Sequence, residues 1–298
     1  MEKSHQLIAL YSKVCQVYNK DLSHFVHRFS HNGHQGYITD SELLTIYLFS
    51  IQAEKKTEKK AMYQYIKDYW ASWFPALPSY TAFCKRLNRL VDAFPIFINL
   101  LIEGKDFEPD LVPVLVGDAC PIQTCAGNRV AKVAPNLVNK TYCATKDKWY
   151  YGVKLHLLAQ KMPQTLPFPQ FMGITPAACA DLPVMKPVLE KLQNTTVVLD
   201  KAYVDTALAK QMLQNNCLLM TPIKDKKGET EIEKQQSKAY KQAVATAVAK
   251  IRQPIESFFN WIHQKTDIQQ ANKVRSEIGL KLHIFGKFAA ALVILTKC

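Results

Sequence analysis

The sequence has no CxxC pair. Its eight cysteines (Cys15, Cys84, Cys120, Cys125, Cys143, Cys179, Cys217 and Cys298) are scattered singly, which excludes the dense disulfide framework of small secreted domains and argues for reduced thiols. There is also no uninterrupted apolar run of roughly 18 residues, the length a membrane-spanning helix needs, and the charged start Met1-Glu2-Lys3-Ser4 does not resemble a secretory signal. A cytoplasmic protein is therefore expected. No internal repeat is evident. Acidic residues are the scarce charge: 25 Asp and Glu stand against 38 Lys and Arg, a formal net charge of +13. Such a surplus favours a polyanionic partner, because neutralising phosphates releases the counterions condensed on a nucleic acid.

With 298 residues, 48% of them hydrophobic, the chain can bury a sizeable core, and one main domain with a smaller attachment is the simplest organisation. His27, His31 and His34 cluster in a polar stretch. They lack a Cys pair at zinc-finger spacing, so a solvated loop is preferred to a zinc site.

Residues 1–108 read as helices. Leu7, Leu10, Tyr11, Val14, Val17 and Tyr18 recur at helical spacing, and Thr39-Asp40-Ser41-Glu42 offers an N-cap with an acid three residues on, just before an apolar run. Lys55, Lys56, Lys59, Lys60, Lys85, Arg86 and Arg89 make this part basic. Its aromatic residues read as a small core rather than as base-stacking groups. From Leu111 the pattern changes to strands: Leu111 to Val116, Tyr150 to Leu158 and Phe168 to Ile174 suggest an antiparallel meander. A helix over Asp181 to Leu192, a strand over Thr195 to Leu199, a helix over Val204 to Leu213 and a strand over Cys217 to Ile223 follow. The order β-β-β-α-β-α-β describes a mixed α/β layer over 109–298. A Lys/Gln-rich excursion around 224–250 interrupts it, before helices over Ile251 to Lys265 and Ile278 to Leu295.

Two acids stand out. Asp118 and Asp200 each follow an apolar run, Val112 to Val116 and Val197-Val198-Leu199, so each is expected where a buried strand meets the surface. Neighbouring carboxylates there repel unless a cation lies between them. Taken singly, each is explained as well by a turn or capping aspartate. On the helix starting near Ile251, Ile255, Phe258, Phe259 and Ile262 share an apolar face, with Arg252, Glu256 and His263 along its edge. Taken alone, Arg252 and Glu256 are an ordinary i, i+4 pair.

The motifs Val114-Leu115-Val116-Gly117-Asp118, Tyr151-Gly152-Val153-Lys154-Leu155-His156, Val198-Leu199-Asp200-Lys201-Ala202-Tyr203 and Arg252-Gln253-Pro254-Ile255-Glu256 occur in this order. In that order the chain resembles the DDE transposases of bacterial insertion sequences. The resemblance implies an α/β, RNase H-like mixed sheet flanked by helices, as in retroviral integrases, with a helical N-terminal domain that binds DNA. It also implies Asp118, Asp200 and Glu256 as the catalytic acids. One departure concerns a Tyr, Arg, Glu, Lys signature common around the third acid: Arg252 and Glu256 fit, whereas Ala249 replaces the Tyr and His263 the Lys, with Lys265 displaced by two positions.

Phosphodiester cleavage needs an activated attacking oxygen and stabilised charge on the phosphate and leaving group, which two hard cations about 3.5–4 Å apart supply through carboxylate ligands. The expected cofactor is therefore Mg²⁺, two ions, with Mn²⁺ as a substitute. Asp118 is assigned to bridge both, and Asp200 and Glu256 to complete one each. Arg252, Lys201, Lys154, His263 and Lys265 are candidate DNA contacts. The expected partners are the terminal inverted repeats, target DNA and a second copy of the chain, since two ends must be handled together. An RNase H-like nuclease that only hydrolyses and a transposase-derived DNA-binding protein without activity are the alternatives.

Overall fold

A computed structural model describes residues 2–26, 38–107, 112–129, 132–143, 147–224, 228 and 230–296. His27, His31, His34 and Leu111 lie outside the described residues. The chain forms two compact units, one of Met1–Asp106 with Ile262–Cys298 and one of Phe107–Trp261.

The first unit is helical: α1 Lys3–Val17, α2 Asp40–Glu54, α3 Lys59–Tyr69, α4 Tyr80–Arg89, α5 Ala93–Glu103, α9 Glu277–Lys281 and α10 Lys287–Thr296. The start of α2 is fixed by a capping box in which Glu42 N donates to Thr39 Oγ1 (3.1 Å) and Thr39 N to Glu42 Oε2 (2.6 Å). Leu43, Leu44, Ile46, Leu48 and Phe49 of α2 are all buried. A helix buried on every side is a core element, and α1 and α10 pack against it. The segment Glu277–Thr296 is apolar and long enough to cross a membrane, with mean hydropathy 1.8, but 61% of it is buried within the protein. Its periodicity foretells helix. What the periodicity does not convey is that these last helices belong with the N-terminal ones, rather than with the sheet they were grouped with over 109–298.

The second unit carries a six-stranded mixed sheet. Strand β1 (Val114–Ala126) lies antiparallel to β3 (Lys148–Gln160). The outer edge of β3 is shared end to end by β2 (Asn139–Cys143), which pairs with its first five residues, and β4 (Phe168–Pro176), which takes the rest. On the other side of β1, β5 (Thr196–Val198) and then β6 (Leu218–Met220) add in parallel. Helices α6 (Asp181–Leu189) and α7 (Thr206–Gln214) supply Met185, Leu189, Leu208 and Met212 to a core that they share with Leu115, Leu158, Val197 and Leu199 of the sheet. This mixed sheet flanked by helices is the RNase H-like arrangement.

Three sequence expectations change. The first strand does not end at Val116: β1 runs on to Ala126 and passes through Pro121. Among the described residues β5 pairs with β1 only as far as Val116, so Pro121 lies where β1 has β3 alone as a strand partner, a position in which a missing N–H costs less than in a strand paired on both sides. Asp118 therefore lies within the strand, opposite Leu157, rather than at its end. Strand β2 was not foreseen, because Asn139-Lys140-Thr141-Tyr142-Cys143 has no apolar alternation. Finally, most of the Lys/Gln-rich excursion and the helix after it form one helix, α8, Glu231–Thr266, which continues through Pro254.

Candidate active site

The register of the sheet brings the two aspartates together. Val116 of β1 pairs with Val198 of β5, and Asp118 and Asp200 each follow two residues later. Side chains alternate along a strand, so both carboxylates point to one face, away from Leu115 and Val197. Asp200 keeps extended backbone (φ −80°, ψ −177°), and its carboxylate accepts from Ala202 N at 2.8 Å, which starts the turn Lys201–Tyr203.

Helix α8 supplies the third acid. Ile255 and Phe258 are fully buried, which fixes the rotation of the helix and sets Arg252 and Glu256 beside that apolar stripe. The Arg252 guanidinium reaches Asp118 Oδ2 with one nitrogen (2.5 Å) and Glu256 Oε1 with the other (2.8 Å). Asp118 Oδ1 also accepts from Ala119 N at 2.8 Å. Burial pushes the Asp118 carboxyl up to about 6, with the charge of Asp200 adding to the shift and Arg252 and the Ala119 N–H opposing it. The structure thus joins Asp118 to Glu256 through Arg252 and sets Asp200 two residues past the end of the neighbouring strand.

Among the described residues, no three His, Cys, Asp or Glu side chains converge closely enough to hold a metal ion as they stand. The donor chemistry nevertheless fits a hard divalent cation: three carboxylates from β1, the end of β5 and α8, with a guanidinium already serving as the positive charge between two of them. The fork of Arg252 supplies the positive charge between Asp118 and Glu256.

The basic candidates divide. Lys154, on β3, donates to Asp181 Oδ1 and Cys179 O, both at 2.9 Å, so its charge is spent within the unit. Lys201 is exposed beside Asp200. His263 and Lys265 lie on the last turn of α8, which belongs to the helical unit. There the His263 Nδ1 is 3.9 Å from Asp267 Oδ1, and Lys265 is exposed.

Two residues near the acids were not singled out from sequence. Asp181, the first residue of α6, pairs with Lys154 and lies 3.9 Å from Nδ1 of the fully buried His156. Tyr203 is fully buried and its hydroxyl has no hydrogen-bond partner among the described residues. Burial raises its pKa, and the charges of Asp181, Asp118 and Asp200 all act on it in the same direction. Asp181 reads in sequence only as a helix start, and nothing in the residue pattern marks it.

Residues 114–293 match the family described as the transposase DDE domain. The match covers more than half of the chain. The chain belongs to the DDE transposase family. No curated protein and no solved structure matches it. Membership of this family makes DNA the substrate class and a divalent-metal-dependent, DNA-cutting enzyme the general type. The span of the match includes Asp118, Asp200, Arg252 and Glu256, and also α9 and most of α10, although those helices pack in the other compact unit.

Proposed function

We propose that this transposase cleaves the ends of its element and joins them to target DNA, with Asp118, Asp200 and Glu256 as the metal-binding acids. The observation that carries this reading is that Asp118 and Asp200 each follow by two residues the parallel pair Val116 and Val198, with Glu256 tied to Asp118 by Arg252. Two Mg²⁺ ions held by these carboxylates, or Mn²⁺ in their place, would supply the activated attacking oxygen and the charge neutralisation that phosphoryl transfer requires. The chain's own part is to hold the acids rigidly. Asp118 is anchored within a long strand by its own backbone contact, Asp200 is locked by the turn it caps, and Glu256 is oriented by the buried stripe of α8. Arg252 keeps Asp118 and Glu256 at a fixed separation and is a phosphate contact by virtue of its planar fork.

Lys201, His263 and Lys265 are the further backbone contacts of this reading, and the basic N-terminal helices bind the terminal inverted repeats. Lys154 has the weaker claim, since Asp181 already holds it. Two ends must be processed together, so the working form is a homodimer on DNA, in the bacterial cytoplasm with the nucleoid.

The test is an incubation of the purified protein with a DNA end and Mg²⁺ or Mn²⁺. Strand-transfer products support the proposal, nicking without joining assigns a hydrolytic nuclease, and a gel shift alone assigns a DNA-binding protein. Asp118→Asn, Asp200→Asn and Glu256→Gln are each expected to abolish cleavage with folding and DNA binding retained. Substantial cleavage by any one of them removes that residue from the site.

A further inference from the structure

The far end of the β2–β3 ladder carries an aromatic and cationic patch that the catalytic reading does not use. Tyr142 pairs across the ladder with Trp149, and Lys140 with Tyr151, so all four side chains lie on one face. The rings of Tyr142 and Trp149 are 5.5 Å apart, and Lys140 Nζ lies 5.5 Å from the Trp149 ring and 6.0 Å from the Tyr151 ring. Trp149 is 56% exposed and Tyr142 46%. The ring of Trp149 is presented from a fixed base: Gly127 N donates to Trp149 O at 2.9 Å, and a Cβ on Gly127 would lie 2.4 Å from the Trp149 Cβ, so only glycine permits this approach.

Large rings left in water beside a cation suit a ligand that offers both a flat ring and a negative charge, even though the Tyr142 hydroxyl donates to Asp147. A base stacks on an aromatic face and the adjoining phosphate takes the charge. In a duplex the faces of the bases are hidden by their neighbours, so a stacking platform selects nucleotides that are unpaired. We propose that Trp149, Tyr142, Tyr151 and Lys140 form a binding site for unpaired nucleotides of the DNA substrate. The inference rests on the transposase reading only in taking DNA as the ligand.

The platform is separate from the reacting phosphate. Leu157 is the partner of Asp118, and Tyr151 lies six residues before it on β3, about 20 Å away at about 3.3 Å per residue. The strand held here is therefore one that flanks the cleavage point.

The test uses the full-length protein and two probes labelled with 2-aminopurine, a single-stranded 20-mer and the blunt duplex of the same sequence. Trp149→Ala is expected to weaken single-strand binding about 10-fold or more, as the loss of one stacked base implies, and to leave duplex affinity within twofold. Trp149→Phe, which keeps an aromatic face, is expected to retain most of the affinity. Tyr142→Ala, at another exposed position, guards against a folding defect in the first variant. Unchanged single-strand affinity in both alanine variants overturns the proposal and leaves the patch to a protein partner. Equal weakening for single strand and duplex also overturns it, by showing a general phosphate contact. Cleavage by Asp118→Asn tests the catalytic reading separately: activity there with a Trp149 effect intact sinks the site and keeps the platform.

Discussion

Arg252 holds Asp118 and Glu256 in one fork, at 2.5 and 2.8 Å. Two carboxylates from different elements are thereby kept close without being left to repel each other. A lysine presents a single point of charge and cannot make both bonds in this planar geometry. Arg252→Lys is therefore expected to lower the single-turnover cleavage rate at least tenfold, and Arg252→Ala further still, with the far-ultraviolet spectrum unchanged. Cleavage at the wild-type rate by the lysine variant would show that the fork is not what the site needs.

DNA binding by a chain of net charge +13 is expected to weaken steeply as salt rises. Each phosphate neutralised by Lys or Arg contributes a slope of about −0.9 in log affinity against log salt, so about five contacts give a slope near −4 to −5. Affinity measured at several potassium concentrations checks this. A flat dependence would remove the phosphate grip from the account.

A glycine in the helical unit allows a test of packing. A Cβ on Gly286 would lie 2.7 Å from the ring of Tyr47, and Tyr47, only 3% exposed, has no room to withdraw. Overpacking of this kind costs about 1–3 kcal/mol. Gly286→Ala is expected to lower the unfolding midpoint in denaturant without changing its slope, and an unchanged midpoint would mean that α2 and the segment before α10 yield easily.

How much of this was legible in sequence depended on which residues carry an apolar signal. The core strands and most helices could be read because buried faces repeat at fixed periods, and Asp118, Asp200 and Glu256 each sit beside such a face, but it was the order of the motifs and the resemblance it carries that set them apart from capping residues and an i, i+4 pair. Strand β2 carries no such signal, since its backbone pairs with β3 while its side chains are polar. The Lys/Gln-rich half of α8 lacks a continuous apolar stripe, and Pro254 argues for a break that the helix does not make. The ties of Lys154 to Asp181 and of Arg252 to Asp118 join residues far apart in the chain. No local pattern encodes them, and they follow only from how α6 and α8 pack beside the sheet.

The last prediction concerns two buried bases in the helical unit. Lys287 is 3% exposed and donates to Asp267 O at 3.2 Å, and burial pushes its pKa down from 10.5 to about 8 in spite of the charges of Asp267 and Glu58. His283 shares a hydrogen bond between Nε2 and Ile268 O at 2.9 Å, and burial, with the charge of Lys287, pushes it down from 6.5 to about 3. Both groups bind protons more weakly folded than unfolded. Stability therefore rises with pH wherever the unfolded chain holds the extra proton: from about 3 to 6.5 for His283, and from about 8 to 10.5 for Lys287. At pH 7 the folded state carries the full cost of the buried Lys287 charge and none from His283. Lys287→Met is accordingly expected to raise the unfolding midpoint at pH 7 by several degrees, given about 2–4 °C per kcal/mol for a domain of this size. That gain should shrink towards pH 10.5. His283→Gln, which can still donate to Ile268 O, is expected to leave the midpoint at pH 8 nearly unchanged and to flatten the loss of stability below pH 6.5. Thermal unfolding of the three proteins from pH 4 to 10.5 decides it: a Lys287→Met protein no more stable than the wild type at pH 7 would mean that Asp267 and Glu58 fully compensate the buried charge.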